Sequence, residues 1–395
     1  MSSLIQADNT LTIWAVILVF VFFAMYAERN YKWAKTLGAA LICLVGGMLL
    51  SSVGLVPTNA PAYDVIWSYI TPIAIPLVLL NADIRRIGRE SGKMLFMFLF
   101  ACAGTMSGVV LASTIFHNHV PELHKVAAIF TGSQTGGSMN VVVMAEVFDI
   151  SKSMFNSVYI ADILTFTFTL LALTLLPSIG FLRNHYGTLY PLNAANMVEH
   201  KEESEASYGM TVFSVAKAIA LSLVIVSISV AIAGFVNDSG AHEIIKQLFG
   251  QKYLVLTLIT VILATLFPKQ IGNIKGAQEL GIFLMFIFFV AVSIEANLRE
   301  VFAAGPILIL YSFVVFLGIL TFCLLFGKLF KFKIEEISIA ANAALGGPTT
   351  AAATAAAKGW TSLVTPAVLV GTLGYILGNY FGVFIGNLVL KMFGV

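Results

Sequence analysis

Thr131-Gly-Ser-Gln-Thr-Gly-Gly-Ser-Met-Asn140 and Asn342-Ala-Ala-Leu-Gly-Gly-Pro-Thr-Thr350 both interrupt stretches that are otherwise apolar. Each puts a Gly-Gly step and several hydroxyl or amide side chains at the depth of a membrane. Irregular backbone persists there only when protein buries it or when it lines a watery cavity. Two such interruptions at matching places in two halves point to a secondary transporter.

Composition sets the frame for that reading. The chain has 395 residues, 59% apolar and 11% charged, with a mean hydropathy of +0.93. A soluble domain of this length is far less greasy, so the expectation is an all-α polytopic membrane protein embedded in a lipid bilayer. The net charge of +2 is scattered between apolar segments and forms no basic stripe, so no nucleic-acid partner is expected. Cys43, Cys102 and Cys323 lie within apolar stretches and suggest neither a disulfide framework nor a zinc site. Residues 1–10 carry no Lys or Arg and no small-x-small site follows, so 11–27 is expected as a retained helix and not as a signal peptide.

Apolar runs lie at 11–27, 37–55, 65–80, 94–116 and 154–181, with 126–147 interrupted; the second set lies at 210–235, 253–267, 281–294, 307–326 and 364–390, with 337–357 interrupted. Between the sets, 183–209 carries His200, Lys201, Glu202, Glu203 and Glu205 and is expected as a linker. Residues 1–182 and 210–395 are then two repeats. Asn81-Ala-Asp-Ile-Arg-Arg86 and Glu295-Ala-Asn-Leu-Arg-Glu300 each end a third run and are 214 positions apart, while Gly136-Gly137 and Gly346-Gly347 are 210 apart.

Lys and Arg favour cytoplasmic loops. If both interrupted segments crossed the membrane, twelve crossings would split the basic residues 12 to 10. If each returns on its own side, ten crossings leave Lys125, Lys152, Lys246, Lys252, Arg299 and Lys391 outside and the other 16 of 22 inside. Five crossings per half is an odd number, so the repeats come out inverted. The expected fold is therefore two inverted repeats, each of five transmembrane helices and one re-entrant hairpin (about 126–147 and 337–357), with a cytoplasmic linker and both termini outside. Arms such as 126–135 and 138–147 would rise about 15 Å each, half the hydrocarbon thickness, so that opposed hairpins meet tip to tip.

Gly136-Gly137 lets the backbone turn without a Cβ clash, beside Ser133, Gln134, Thr135, Ser138 and Asn140. In the second tip Pro348 removes a backbone donor after Gly346-Gly347, and Thr349, Thr350 and Thr354 bring hydroxyls. Half-helix N-termini attract a carboxylate, and carbonyls freed at half-helix C-termini suit sodium. The tips are thus the expected solute site, with Thr131, Ser133, Asn140, Asn342, Thr349 and Thr354 as expected sodium ligands. Close helix packing by small residues is the plainer alternative; the symmetric pair, with amides at Gln134, Asn140 and Asn342, argues against it.

Asp162, eight residues into 154–181, is a candidate coupling group, because an unpaired carboxylate at that depth is expensive. Its alternative is a helix-end residue reached by water. Glu146 ends the first hairpin, Asp83 and Glu295 are expected to pair with Arg85, Arg86 or Arg299, and Asn81 and Asn297 could reach inward. No nucleophile elbow, metalloprotease motif or phosphate loop is present, so neither an enzyme nor a cofactor other than sodium is expected. His117, His119, His124, His185, His200 and His242 fall in loops or the linker, where solvation is a plainer reading than metal binding.

At the two Gly-Gly segments, and in Gly371-Thr-Leu-Gly-Tyr-Ile-Leu-Gly-Asn-Tyr-Phe-Gly382, the chain resembles the bacterial membrane family called domain of unknown function 819, over almost its whole length. That family is similar to the group of sodium-coupled glutamate, citrate and bile acid symporters. The resemblance implies a bacterial inner-membrane protein in which sodium and substrate sit between discontinuous elements of two inverted repeats. It also implies a homodimer, whose mobile core slides like an elevator against a scaffold. Glutamate and citrate members carry Gly-Gly motifs at hairpin tips, as Gly136-Gly137 and Gly346-Gly347 would, whereas the bile acid branch has crossing broken helices. This chain reads Gly-Gly-Ser-Met and Gly-Gly-Pro-Thr where the citrate type reads Gly-Gly-x-Gly, which leaves the substrate open. The expected function is sodium-coupled symport of a small polar, carboxylate-bearing solute by alternating access. The alternatives are a cation/proton antiporter using Asp162, and a channel or receptor without coupled transport.

Overall fold

The computed structural model describes residues 3–190, 210–240, 242, 245–246, 249–296 and 298–394. Asn297 and most of the expected linker (191–209) lie outside the described residues. Every apolar run is helical. The first half holds α1 (Thr10–Asn30), α2 (Ala39–Ser52), α3 (Pro61–Val65, a π-helical turn at Ile66–Ile70, then Thr71–Leu79), α4 (Lys93–Phe116), α5 (Leu123–Gly136), α6 (Met139–Phe148) and α7 (Lys152–Leu175). The second holds α8 (Val212–Asp238), α9 (Lys252–Leu266), α10 (Ala277–Ile294), α11 (Leu298–Leu329), α12 (Ile334–Ala357) and α13 (Thr361–Phe393). Eight of the described segments are long and apolar enough to cross a bilayer, which makes this a polytopic membrane protein; α2 and α9 are apolar but shorter.

Capping side chains set several helix starts. Asn9 accepts the Thr12 N–H at 3.3 Å before α1, and Ser151 accepts the Met154 N–H at 3.4 Å before α7. Thr211 and Ser214 form a reciprocal capping box at α8.

The helices pack as two groups. One comprises α1, α2, α3, α8, α9 and α10; the other comprises α4, α5, α6, α7, α11, α12 and α13. In the second group α4 crosses α11 where Gly104 and Gly108 meet Gly318, so closely that a Cβ on Gly318 would stand 2.7 Å from the Gly104 carbonyl. Backbones approach this closely only over small residues. Outward side chains such as Phe22 and Phe23 on α1 and Val230 and Phe235 on α8 are exposed, as suits helices facing lipid.

Both interrupted segments fold back on themselves. Within α12 the Asn342 amide donates to Thr354 Oγ1 at 2.9 Å, across twelve residues that a straight helix would separate by about 18 Å. Asn140 on α6 likewise donates to the Gly132 carbonyl on α5 at 3.1 Å. The open ends of each hairpin also meet. Glu122, before α5, accepts the Ser151 hydroxyl (2.5 Å) and N–H (3.2 Å) from beyond α6, and Lys125 Nζ donates to the Asp149 carbonyl at 2.8 Å. At the second hairpin Glu335 accepts the Leu189 N–H at 3.0 Å, while the Tyr190 hydroxyl lies 2.6 Å from Ser362 Oγ beyond the far arm. A crossing broken helix would hold these ends on opposite sides of a membrane.

The Glu122 staple yields a pH signature. Burial pushes its carboxyl up, but hydrogen bonds from Ser151 and Lys125 outweigh burial and hold it below the ordinary glutamate range. A depressed folded pKa stabilises the fold above the unfolded value, and that stability is lost as pH falls through the folded one. Glu122→Gln is expected to lower the thermal midpoint at pH 7, with the gap to wild type closing on acidification; a gap unchanged from pH 7 to pH 3 would contradict the staple.

Candidate functional site

The two Gly-Gly steps supply the turns. Gly137 has φ 83° and Gly347 has φ 74°, a region costly for any residue with a Cβ. They face each other: a Cβ on Gly137 would lie 3.4 Å from Gly347 N, and one on Gly347 would lie 3.4 Å from the Gly136 carbonyl. The hairpins therefore meet tip to tip. Helix α13 runs along the first hairpin on Gly374, Gly378, Gly382 and Gly386, a small-residue seam with one contact per helical turn.

Amides clasp the arms. Asn140, 1% exposed, spends its Nδ2 on the Gly132 and Gly374 carbonyls (3.1 and 3.0 Å) and so ties both hairpin arms to α13. Asn342 binds Thr354 Oγ1 and accepts from Thr350 Oγ1 at 3.2 Å. Thr131 and Thr354 turn their hydroxyls back onto their own helices, to Ala127 (2.7 Å) and Thr350 (2.8 Å). Ser138 and Thr349 are exposed at the tips.

Ser133 and Gln134, in contrast, point at Asp162. The Ser133 hydroxyl donates to Asp162 Oδ2, and Gln134 Nε2 donates to Asp162 Oδ1 at 3.1 Å and to Ser312 Oγ at 2.7 Å. Thr105 Oγ1 donates to the Gln134 carbonyl at 2.8 Å, locking this turn onto α4. Asp162 is 8% exposed, lines a cavity, and stands in the middle of α7 and not at a helix end.

Two cavities converge here. One of about 340 Å³ touches Ser138, Asp162, Gly346, Thr349 and Thr350 on one wall and Ile282, Met285 and Phe286 of α10 on the other. A larger one of about 960 Å³ is lined by Pro348, Thr349 and Tyr375 together with Asn81, Asp83, Arg86, Lys269 and Asn273. Gln278, Thr349 and Tyr375 line both.

The smaller cavity is the open end of a wedge between α7 and α10, which belong to different helix groups. About 15 Å along α7 from Asp162 the wedge is shut. There Lys152 pairs with Glu295 at 3.4 Å and lies 3.5 Å over the Trp67 ring, whose Nε1 donates to Glu295 at 2.8 Å. Asn156 Nδ2 donates to the Val292 carbonyl at 3.2 Å, and Tyr159 packs on Phe289 with ring centroids 4.9 Å apart.

Among the described side chains, the acids expected to pair with Arg85 or Arg86 do otherwise, and the side chain of Arg299 is not among those described. Glu295 takes Lys152, and Asp83 caps the short helix Ile84–Glu90 by accepting the backbone N–H groups of Arg85 (2.9 Å) and Arg86 (3.4 Å). The Arg86 side chain pairs with Glu90 at 3.0 Å. An acid preceding a helix start is a cap signal, which accounts for Asp83. Glu146 lies in the last turn of α6, and His124 lies within the first turn of α5 and not in a loop. Thr165, Ser312, Thr105 and Gln278 were not singled out from the sequence. Of these only Thr165, one turn beyond Asp162 on the same face, carried a usable signal.

Residues 15–392 match the family model described as protein of unknown function (DUF819). The chain is also 36% identical over 394 residues, 98% of each chain, to a protein of Bacillus subtilis (strain 168) named uncharacterized membrane protein YjcL.

Asn140→Ala removes both donors to the Gly132 and Gly374 carbonyls and is expected to cost about 2–4 kcal/mol in thermal unfolding of the detergent-solubilised protein. Asn140→Asp, which keeps the shape without the amide donors, is expected to be destabilised too. Wild-type midpoints in both would remove the clasp.

Proposed function

The chain belongs to the DUF819 family, and we propose that it is a secondary active transporter that moves a small polar, carboxylate-bearing solute together with sodium across the bacterial inner membrane by alternating access. The observation that carries this reading is the wedge between the two helix groups. It is open where Asp162 and both tips are reached and shut at Lys152–Glu295. A carrier needs a polar site with one closed access at a time; a channel needs a continuous path.

Two further features support it. Exchanging the halves maps α1–α2 contacts onto α8–α9, α2–α10 onto α9–α3, and α1–α10 onto α8–α3, while α4–α11 maps onto itself. That is what inverted repeats of five crossings would give, with α2 and α9 as the two short spans. Gly104 and Gly318, which meet at the α4–α11 crossing, are separated by the 214 positions that separate Asn81 from Glu295. Lys269 lines the larger cavity with Asp83 and with Arg86, which also pairs with Glu90, and its charge suits an anionic solute near Thr349 and Tyr375. In this reading α4 to α7 and α11 to α13 form the mobile core, sliding on the other six helices.

In proteoliposomes, an inward sodium gradient is expected to drive uptake from a panel of radiolabelled mono-, di- and tricarboxylates at least tenfold above a potassium gradient, and Thr349→Ala is expected to reduce it without loss of folded protein. Uptake that follows a pH gradient alone would favour the antiporter reading, and single-channel steps in a planar bilayer would replace the carrier by a channel.

A further inference from the structure

We infer that Asp162, with Ser133, Gln134, Thr135 and Thr165, forms a site for one dehydrated monovalent cation, apart from the amide clasps of Asn140 and Asn342. Its role as the coupling-ion site rests on the transport reading above; binding itself does not.

Among the described residues Asp162 receives two neutral donors and no ion pair, although it is nine-tenths buried at membrane depth. A lone buried carboxylate is expensive unless a cation or proton neutralises it. Three oxygens on residues next to this cluster in the chain or along the helix are buried without a hydrogen-bond partner: Gln134 Oε1, whose amide nitrogen bonds Asp162, Thr135 Oγ1, and Thr165 Oγ1 one turn along α7. Their residues are 2%, 0% and 4% exposed. All stand on the two elements that meet at Asp162, the tip of α5 and the middle of α7. Buried polar atoms are rarely left unpaired, and amide and hydroxyl oxygens together with a carboxylate are hard donors suited to an alkali ion.

The charge count selects the ion. Asp162 and Glu28 are the acidic residues of the adjoining cavity, whose described lining includes no Lys, Arg or His. Asp162 alone is at the cluster, so a monovalent ion leaves the site neutral, whereas a divalent ion would leave a positive charge in an apolar span. The amide of Asn140 is not available as a donor of charge compensation, since both of its hydrogens are committed to carbonyls.

The test is thermal unfolding of the purified full chain in sodium, potassium and choline chloride at equal ionic strength, at pH 6 and pH 8. One alkali cation is expected to raise the midpoint saturably, by about 3 °C at roughly a hundredfold excess over Kd for a chain of this size. Asp162→Asn is expected to abolish the rise, and Thr165→Val, which keeps shape and removes one ligand, to weaken the apparent affinity about tenfold or more. The site is overturned if no alkali cation stabilises the protein, if the rise persists in Asp162→Asn, or if acidification alone reproduces it through Asp162. Sodium-driven uptake with intact Asp162→Asn binding would place the ion elsewhere and spare the transporter reading. Cation stabilisation lost in Asp162→Asn, without any uptake, would do the reverse.

Discussion

Backbone that leaves the helical ladder inside a membrane must find its partners in protein, and this structure is organised around meeting that constraint twice. At Gly137 and Gly347 the chain turns in the left-handed region, and each turn is packed against the other. What remains open is covered by α13, whose glycines let its backbone lie directly on the first hairpin, and by amides that bridge arms and carbonyls. Replacing the glycines by larger residues would separate these surfaces, and the freed carbonyls would have no solvent to turn to. The polar site is thus a by-product of the turn: four half-helix ends arrive at one place, bringing their hydroxyls with them.

The same geometry explains why the surrounding helices divide into two groups. The hairpins, α4, α7, α11 and α13 are tied together by close backbone contact and by the Ser133–Gln134–Asp162–Ser312 bonds. Among the described residues the other group touches this unit along longer side chains, aromatic rings and the Lys152–Glu295 ion pair. A contact made of side chains can part and re-form, whereas one made of interlocked glycines moves as a body. The wedge beside Asp162 lies along the weaker contact.

The helices and their two breaks were largely legible in the sequence, because their determinants are local: the length of the apolar runs and the Gly-Gly steps. All twelve apolar runs are helical where described, and the ends of each interrupted segment meet as those of a hairpin do. The site was legible in part. Ser133, Gln134 and Asp162 stood out as polar residues at depth, but that they bond one another depends on how α7 lies against the hairpin, which no local pattern encodes. The same holds for Lys152 and Glu295, which are far apart in sequence and end different helices. Thr131 and Thr354 donate their hydroxyl hydrogens to the preceding turn, as helical threonines readily do, which fixes where their oxygens stand without deciding whether they ligate an ion.

Alternating access is the central claim, and side-specific labelling of the tip tests it most directly. With Cys43, Cys102 and Cys323 replaced, a Ser138→Cys chain carrying Asn156→Cys and Val292→Cys can be cross-linked where Asn156 now donates to Val292. With that bridge formed, an impermeant thiol reagent should reach Ser138→Cys only from the face bearing Arg86 and Lys269. Labelling from both faces while the bridge is intact would contradict a carrier with one closed access.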